Sequence, residues 1–207
     1  MIESVIFDMD GTLWDSAANV AASWNEAVSG LSERRFTAED IKGVMGLTMD
    51  TIADKFFADA TAEDRKKIME RCCVVENDYL RAHGGGIYPD TADTLALLAK
   101  DRRLFIVSNC QAGYIEAFLD YYGLWAHITD HICWGDNGLQ KSENIRLIVE
   151  RNDAKNALYV GDTQTDCDSA RAAGVKFAHA AYGFGSVSCS DFTLNRLSEL
   201  ILILKDN

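Results

Sequence analysis

The chain has 207 residues, of which 48% are hydrophobic and 25% charged, and this composition is typical of a folded protein with one domain or a core with a modest insert. Its formal net charge of -12 argues against nucleic acid and anionic membrane partners, because binding to either requires a basic face. The negative net charge does not exclude a small anionic ligand, because a metal ion and one or two local cations can make the electrostatic potential inside a pocket positive.

Cysteine usage and the lengths of the apolar runs bear on the compartment. The six cysteines include no Cys-x-x-Cys pair, and we expect reduced thiols in a cytoplasmic protein rather than disulfides. The chain shows no charged-then-apolar leader, and its apolar runs are too short to cross a bilayer, so we expect no membrane partner. The sequence leaves the assembly open between a monomer and a homodimer.

The first predicted element is a short buried strand that ends in two acids. An apolar run rich in β-forming residues covers positions 4–7. Asp8 and Asp10 follow it, and Gly11 then permits the chain to turn. Two carboxylates at the end of one strand repel each other unless a cation or a shared proton compensates them. The pair therefore predicts a site for a hard metal ion such as Mg²⁺, which prefers carboxylate and water oxygens.

A helical insert is predicted after this strand. Ser16 is a potential cap for a helix with apolar residues at helical spacing, and Thr-x-x-acid patterns at Thr37 and Thr61 are typical of two further helix starts. No strand pattern occurs in this segment. We expect a core domain formed by residues 1–15 and 83–207, and a helical cap domain formed by residues 16–82.

Strands and helices alternate in the rest of the chain. Apolar runs predict strands at 104–107, 131–134, 157–160 and 175–178, with helices at about 90–100, 112–122, 142–151 and 165–173 and a last helix near the end. This alternation predicts an α/β fold with a Rossmann-like parallel sheet and helices on both faces. The helical insert should then lie above the carboxyl ends of the strands, where such sheets bind ligands.

Polar residues follow several of these strands. Each alone has a structural explanation, because an acid after a strand often caps the next helix and a lone lysine is usually solvated. Parallel strands, however, bring all their carboxyl ends to one edge of the sheet, so the residues should converge there. They are Ser108 and Asn109 after one strand, Asp162 and Asp166 after another, and Lys141 at the start of a helix.

Together these residues resemble the motifs of the haloacid dehalogenase superfamily of phosphohydrolases. The segment from Asp8 to Thr12 fits the first motif, Asp-x-Asp-Gly-Thr, and Ser108 and Lys141 fit the second and third. Residues 161–166 fit the fourth motif, Gly-Asp-x-x-x-Asp. All four occur in the family's order, and the insert resembles the cap of the phosphoglycolate phosphatase-like and β-phosphoglucomutase-like branches.

The resemblance implies a role for each motif residue in a Mg²⁺-dependent phosphatase acting on a small phosphorylated metabolite. Asp8 would be the nucleophile that forms an aspartyl-phosphate, and Asp10 the general acid and base. The metal would be held by the carboxylates of Asp8 and Asp162 and by the backbone carbonyl of Asp10. Asp166 would be an outer metal ligand or a partner of Lys141. Thr12 would donate a hydrogen bond to Asp8 or Asp10. The phosphate would be bound by Ser108, Asn109 and Lys141.

Other functions stay open at this point. A phosphomutase of the β-phosphoglucomutase type would use the same core but return the phosphoryl group to its substrate. A non-enzymatic phospho-accepting module of the receiver type also uses clustered acids, Mg²⁺ and a lysine, although its acceptor lies in mid-chain and it has no helical insert. A catalytically inactive scaffold that binds partners is the third alternative. Phosphoglycolate, sugar phosphates and nucleotides are all candidate substrates.

Overall fold

The computed structural model of the chain describes residues 2–206. The first part of the chain contains one strand of the main sheet, a helical segment and two very short strands on either side of that segment. These elements are β1 (Ser4–Phe7), β2 (Trp14–Asp15), α1 (Ala17–Ala27), α2 (Ala38–Lys42), α3 (Met49–Phe56), α4 (Ala62–His83) and β3 (Gly86–Ile87).

After residue 87 helices and strands alternate, and two short 3₁₀ turns interrupt them at Trp125–His127 and Leu197–Glu199. The elements are α5 (Thr91–Leu98), β4 (Arg103–Ser108), α6 (Tyr114–Tyr122), β5 (Asp130–Cys133), α7 (Trp134–Asn137), α8 (Lys141–Arg151), β6 (Ala157–Gly161), α9 (Gln164–Ala172), β7 (Lys176–Ala180), β8 (Phe192–Leu194) and α10 (Leu200–Asp206).

Six strands form one sheet in the order β5-β4-β1-β6-β7-β8, and every neighbouring pair is parallel. The predicted Rossmann-like α/β class is therefore confirmed. All four residues of β1 are buried, as expected for a central strand covered on both faces. Val5 and Phe7 belong to one apolar cluster and Ile6 to a second, because successive side chains of a strand point to opposite faces of the sheet.

The segment between β2 and β3 is helical, and the described residues form no strand within it. The Thr-x-x-acid patterns begin helices as predicted, since the hydroxyls of Thr37 and Thr61 accept from the backbone N–H groups of Asp40 and Asp64 at 3.2 Å each. Strands β2 and β3 pair antiparallel, so the two passages between the sheet and this helical insert, residues 17–83, lie side by side. The division into core and cap domains stays a prediction.

Ser16 is the exception among the predicted helix starts. It precedes α1, but its side chain makes no capping hydrogen bond. Asp15 takes that role, because its Oδ1 accepts from the backbone N–H of Ala17 at 3.0 Å. The hydroxyl of Ser16 is thereby left for another partner, which lies in the site described below.

Two further properties concern the cysteines and the capacity of the helices to cross a membrane. All six cysteines are free thiols, in agreement with the expected reduced state. In the part of the chain that the structure describes, no helix is both long enough and apolar enough to cross a membrane.

Candidate active site

The carboxyl ends of β1 and β6 lie side by side and bring three acids together. The register aligns Phe7 with Val160, so Asp8 and Asp162 follow at the same edge of the sheet. Asp8, Asp162 and Asp166 each offer a carboxylate oxygen, and these three atoms all lie within 4.8 Å of one another. All three residues are buried. Side chains separated by more than 150 positions thus meet at the edge that the sequence predicts.

Lys141 at the start of α8 is the cation of this cluster. Its Nζ lies 3.0 Å from Oδ1 of Asp8 and 2.6 Å from Oδ1 of Asp166, and its side chain is buried. Burial disfavours the charged amine, but the carboxylates of Asp166 and Asp8 outweigh that effect and raise the pKa of Lys141. The lysine therefore stays protonated and holds Asp8 in place.

Asp166 is fixed from two sides. Its Oδ1 accepts from Lys141, while its Oδ2 accepts from the hydroxyl and the backbone N–H of Thr163 at 2.6 and 2.9 Å. The second pair of contacts belongs to a capping box at the start of α9. Of the two roles considered for Asp166, this geometry fits a partner that orients Lys141.

Asp162 presents an oxygen without a partner. Its Oδ2 accepts from the backbone N–H groups of Phe184 and Gly185 at 2.8 and 3.3 Å, whereas its buried Oδ1 has no hydrogen-bond partner among the described residues. A buried carboxylate oxygen in that state is costly unless a cation compensates it.

The backbone of two turns approaches the side chain of Asp162 unusually closely. Gly11 adopts a φ of +78°, and a Cβ added there would lie 2.2 Å from Oδ2 of Asp162. A Cβ on Gly183 would lie 2.3 Å from the carbonyl oxygen of Gly11. Glycine at both positions therefore lets two turns approach the carboxylate without a clash.

The donor set fits a divalent cation such as Mg²⁺. The cluster holds three carboxylates against one lysine, and oxygen is the ligand atom that this metal prefers. Burial, with repulsion from Asp166, raises the pKa of Asp162 to about 7 and also raises the pKa of Asp8. These shifts are what a cluster of buried acids shows when too little positive charge faces it.

Asp10 lies in a separate hydrogen-bond network. Its Oδ1 accepts from the hydroxyl of Ser16 at 2.6 Å and from the phenol of Tyr114 at 2.7 Å. The two hydroxyls are also 2.7 Å apart. Burial raises the pKa of Asp10 to about 6, although both hydrogen bonds act in the opposite direction. A carboxyl with such a pKa can give and take a proton near neutral pH.

Ser108, the last residue of β4, and Asn109, which follows it, lie at the same edge. Both are nearly buried, and both line a cavity between the sheet edge and the helical insert, together with Asp10. The Nδ2 of Asn109 donates to the carbonyl of Gly46 in the insert at 2.8 Å, while its buried Oδ1 has no partner in the part of the chain described here. Asn109 thus connects the sheet edge to the insert.

The expected role of Thr12 is wrong. Its Oγ1 is buried without a hydrogen-bond partner among the described residues and contacts neither Asp8 nor Asp10 as a donor. The backbone of Thr12 is instead used by the turn after β1: its N–H donates to Met9 at 3.1 Å and its carbonyl accepts from the Tyr182 hydroxyl at 2.7 Å. The orienting hydroxyls for Asp10 come from Ser16 and Tyr114.

Several residues of the site escape prediction from the sequence. Tyr114 lies 104 positions from Asp10, and a tyrosine at a helix start is indistinguishable from a core residue. Glu76 lies in a long polar helix, where an acid is unremarkable, yet it is buried against the site. The turn around Gly183 and Gly185 could have been predicted to lie near the site, because closely spaced glycines after a strand are typical of a close backbone approach.

Comparison with known proteins agrees with this architecture. A family model described as haloacid dehalogenase-like hydrolase matches residues 5–180. A phosphoglycolate phosphatase of Aquifex aeolicus is 28% identical over 216 residues, covering 98% of this chain and 97% of the relative.

Solved structures share the fold. A Bacteroides fragilis protein assigned to the haloacid dehalogenase-like hydrolases superposes with a TM-score of 0.84 at 23% identity, covering 97% of this chain and 100% of that one. CbbY from Rhodobacter sphaeroides, solved in complex with phosphate, gives a TM-score of 0.82 at 21% identity and covers 97% and 96% of the two chains. Since the family model spans most of the sequence, the chain belongs to the haloacid dehalogenase-like hydrolases.

Proposed function

We propose that this hydrolase is a Mg²⁺-dependent phosphatase that cleaves the phosphomonoester of a small metabolite through an aspartyl-phosphate on Asp8. The observation that carries the proposal is the buried meeting point of Asp8, Asp162, Asp166 and Lys141 at the carboxyl edge of the sheet. Relatives at 24–28% identity that are named phosphoglycolate phosphatase support the same reaction class.

The metal would be held by the carboxylates of Asp8 and Asp162 and by the backbone carbonyl of Asp10. When bound, it supplies positive charge that offsets the repulsion between an anionic nucleophile and an anionic phosphate. The unpartnered Oδ1 of Asp162 is the feature of this chain that supports the assignment.

Asp8 would act as the nucleophile. One of its oxygens forms a bond to phosphorus as the ester oxygen departs, giving an aspartyl-phosphate that water then hydrolyses. Lys141 orients Asp8 through the 3.0 Å contact and is itself held by Asp166. Lys141 would also donate to the phosphoryl oxygens, together with Ser108 and the backbone N–H groups near Met9 and Asn109. These donors stabilise the negative charge that is spread over the phosphoryl oxygens in the transition state.

Asp10 would handle the protons. In its protonated form it donates to the departing ester oxygen, and in its ionised form it accepts a proton from the water that attacks the aspartyl-phosphate. Ser16 and Tyr114 hold one carboxylate oxygen in place, which leaves the other free for this transfer. The pKa of about 6 allows both states in the cell's usual pH range.

We further propose that residues 16–82 form a cap over the site. The hydrogen bond from Asn109 to Gly46 joins the helical insert to the sheet edge, and the ion pair between Lys42 and Asp15, at 2.9 Å, joins it to β2. Opening these contacts would admit the substrate. Closing them would exclude bulk water from the aspartyl-phosphate, apart from the water molecule that Asp10 activates.

A phosphate-release assay over a panel of phosphometabolites, with and without Mg²⁺, tests the proposal. We expect Mg²⁺-dependent release of inorganic phosphate, which Asp8→Asn abolishes. Asp168→Asn, an exposed acid of α9, is the matched control and should keep full activity.

Three outcomes would contradict the proposal. Formation of an isomer without phosphate release would indicate a mutase. Stable phosphorylation of Asp8 without turnover would indicate a phospho-accepting module. No turnover of any ester, an aryl phosphate included, would leave a non-catalytic scaffold.

A further inference from the structure

The cavity between the helical insert and the sheet edge bears on which ester the site accepts. It has a volume of about 40 Å³, room for about three water molecules, which is close to the size of a two-carbon alcohol. Asp10, Ser108 and Asn109 lie at its core end. Its insert side is mostly apolar and is formed by Val20, Trp24, Ile41, Val44, Leu47 and Ile52.

The charge in this cavity is entirely acidic. Among the described residues that line it there is no lysine, arginine or histidine, and the charged ones are Asp10 and Glu76. Nearby cations of the insert have other partners. Arg34 donates to the carbonyl of Phe56 at 3.1 Å, and Lys42 pairs with Asp15.

Glu76 is the polar group of the insert that faces the cavity. It lies on α4 and is only 3% exposed. The indole N–H of Trp24 donates to its Oε2, and the side chain of Gln111 also lies beside the carboxyl. One acid, held by neutral donors and surrounded by apolar side chains, therefore lies opposite the catalytic Asp10.

We infer that the enzyme selects phosphate esters of a compact, non-anionic alcohol that presents a hydrogen-bond donor, an ammonium or a hydroxyl, to Glu76. The inference rests on the proposed phosphatase function. A leaving group bearing a carboxylate would be buried beside Glu76 with no cation to neutralise it, at a high desolvation and repulsion cost. A leaving group without a donor would leave the buried carboxylate of Glu76 with only the neutral donors of Trp24 and Gln111 and no compensating donor from the substrate. The chemistry of this cavity thus disfavours phosphoglycolate.

Four esters of nearly equal size separate these possibilities: 2-aminoethyl phosphate, 2-hydroxyethyl phosphate, ethyl phosphate and 2-phosphoglycolate. At pH 8, above the pKa of about 7 to which burial raises Glu76, we expect kcat/KM for the two donor-bearing esters to exceed that for ethyl phosphate and phosphoglycolate by about tenfold or more. The ratio between the aminoethyl and hydroxyethyl esters then tells whether charge or hydrogen bonding dominates.

The variant Glu76→Gln keeps the size and one acceptor oxygen but removes the charge. We expect it to raise kcat/KM for phosphoglycolate relative to the aminoethyl ester by about tenfold, with the change mainly in KM. Glu70→Gln, an exposed acid on the same helix, is the control and should leave that ratio unchanged.

A wild-type preference for phosphoglycolate would overturn the inference, as would an unchanged ratio in folded Glu76→Gln. If that variant does not fold, the wild-type ranking of the four esters decides alone. An aryl phosphate measured in parallel separates failure of the proposed selectivity from failure of the proposed phosphatase function. Its Mg²⁺-dependent hydrolysis without the expected ranking refutes only the selectivity, whereas no hydrolysis of it or of any other ester refutes the phosphatase.

Discussion

The Nζ atom of Lys141 lies 2.6 Å from Oδ1 of Asp166, and both side chains are buried to within 1% of full burial. A second carboxylate, that of Asp8, shares the same ammonium at 3.0 Å. A buried cation between two acids is worth little relative to an apolar replacement of all three groups. Removing the cation alone lowers the free energy of unfolding strongly, because both acids then lose the buried charge that compensates them.

The variant Lys141→Met should therefore lose both stability and activity. We expect the free energy of unfolding to fall by about 3–5 kcal/mol and kcat to fall by about 10²–10³-fold, as for loss of a preorganised donor. Urea denaturation and phosphate release measure the two effects. Lys155→Met, which removes an exposed lysine paired with Asp153, is the control and should change neither. Stability unchanged in Lys141→Met would show that the buried pairs do not form.

Magnesium should stabilise the fold itself, independently of turnover. A ligand that binds only the folded state at a concentration of 100 Kd adds about 2.7 kcal/mol to the free energy of unfolding. We expect a Mg²⁺-dependent rise in Tm for the wild type that is lost in Asp162→Asn, because the unpartnered Oδ1 of Asp162 is the proposed ligand. Asp168→Asn should keep the rise. An equal rise in Asp162→Asn would place the metal elsewhere.

The replacement Gly11→Ala tests the close approach to Asp162. The new Cβ would lie 2.2 Å from Oδ2 of Asp162, in addition to the strain of a φ of +78°. Gly123→Ala is matched, since Gly123 has a φ of +66° with no heavy atom within 4 Å of the new Cβ. We expect the control to cost about 1 kcal/mol, and Gly11→Ala to cost more and to weaken the Mg²⁺-dependent rise in Tm. Equal losses in the two variants would mean that the carboxylate can move aside.

The sequence predicts the sheet and its acidic edge because apolar runs and strand ends are local signals. Parallel pairing of β1 and β6 then brings Asp8 and Asp162 together, whereas Lys141 reaches them from the start of α8. Strands β2, β3 and β8 span only two or three residues, too few for periodicity to appear, and so they were not predicted.

Contacts between the insert and the edge could not be predicted. Ser16 has the sequence features of a helix cap, and only the fold shows that its hydroxyl contacts Asp10 instead. Tyr114 and Glu76 have helical spacing that fits ordinary core or surface positions. Their function depends on how the helices pack above the sheet, which no local pattern encodes.

The phenol of Tyr114 should matter for rate rather than for binding. It donates to Oδ1 of Asp10 at 2.7 Å and so orients the proposed acid. We expect Tyr114→Phe to lower kcat by about tenfold with little change in KM, the effect of losing one hydrogen bond to a charged group. Tyr121→Phe, an exposed tyrosine of α6, is the control.

Ser16→Ala provides an independent check on this network. Because the two hydroxyls also lie 2.7 Å from each other, the double variant should lose less than the sum of the single losses, expressed as free energies. An additive result, or an unchanged kcat in Tyr114→Phe, would remove this pair from the positioning of Asp10.

Glu76 should make stability depend on pH. Burial raises its pKa from 4.5 to about 7 in the folded protein, although Gln111 and Trp24 act in the opposite direction. Between these two values the folded protein keeps a proton that the unfolded chain has released. Its contribution to the free energy of unfolding therefore falls as pH rises through this window, by about 3 kcal/mol in all, and levels off above pH 7.

The variant Glu76→Gln lacks this titration, while its side-chain oxygen can still accept from Trp24. Its stability relative to the wild type should therefore rise by about 3 kcal/mol from acid to mildly alkaline pH, since other groups titrate in both proteins and cancel in the difference. Urea denaturation of both proteins without Mg²⁺, at several pH values from 4.5 to 8, measures that difference. Glu70→Gln, on the exposed side of the same helix, should show no such trend. A constant difference between Glu76→Gln and wild type would mean that Glu76 ionises normally in the fold, and that the cavity beside it is more hydrated than its apolar lining implies.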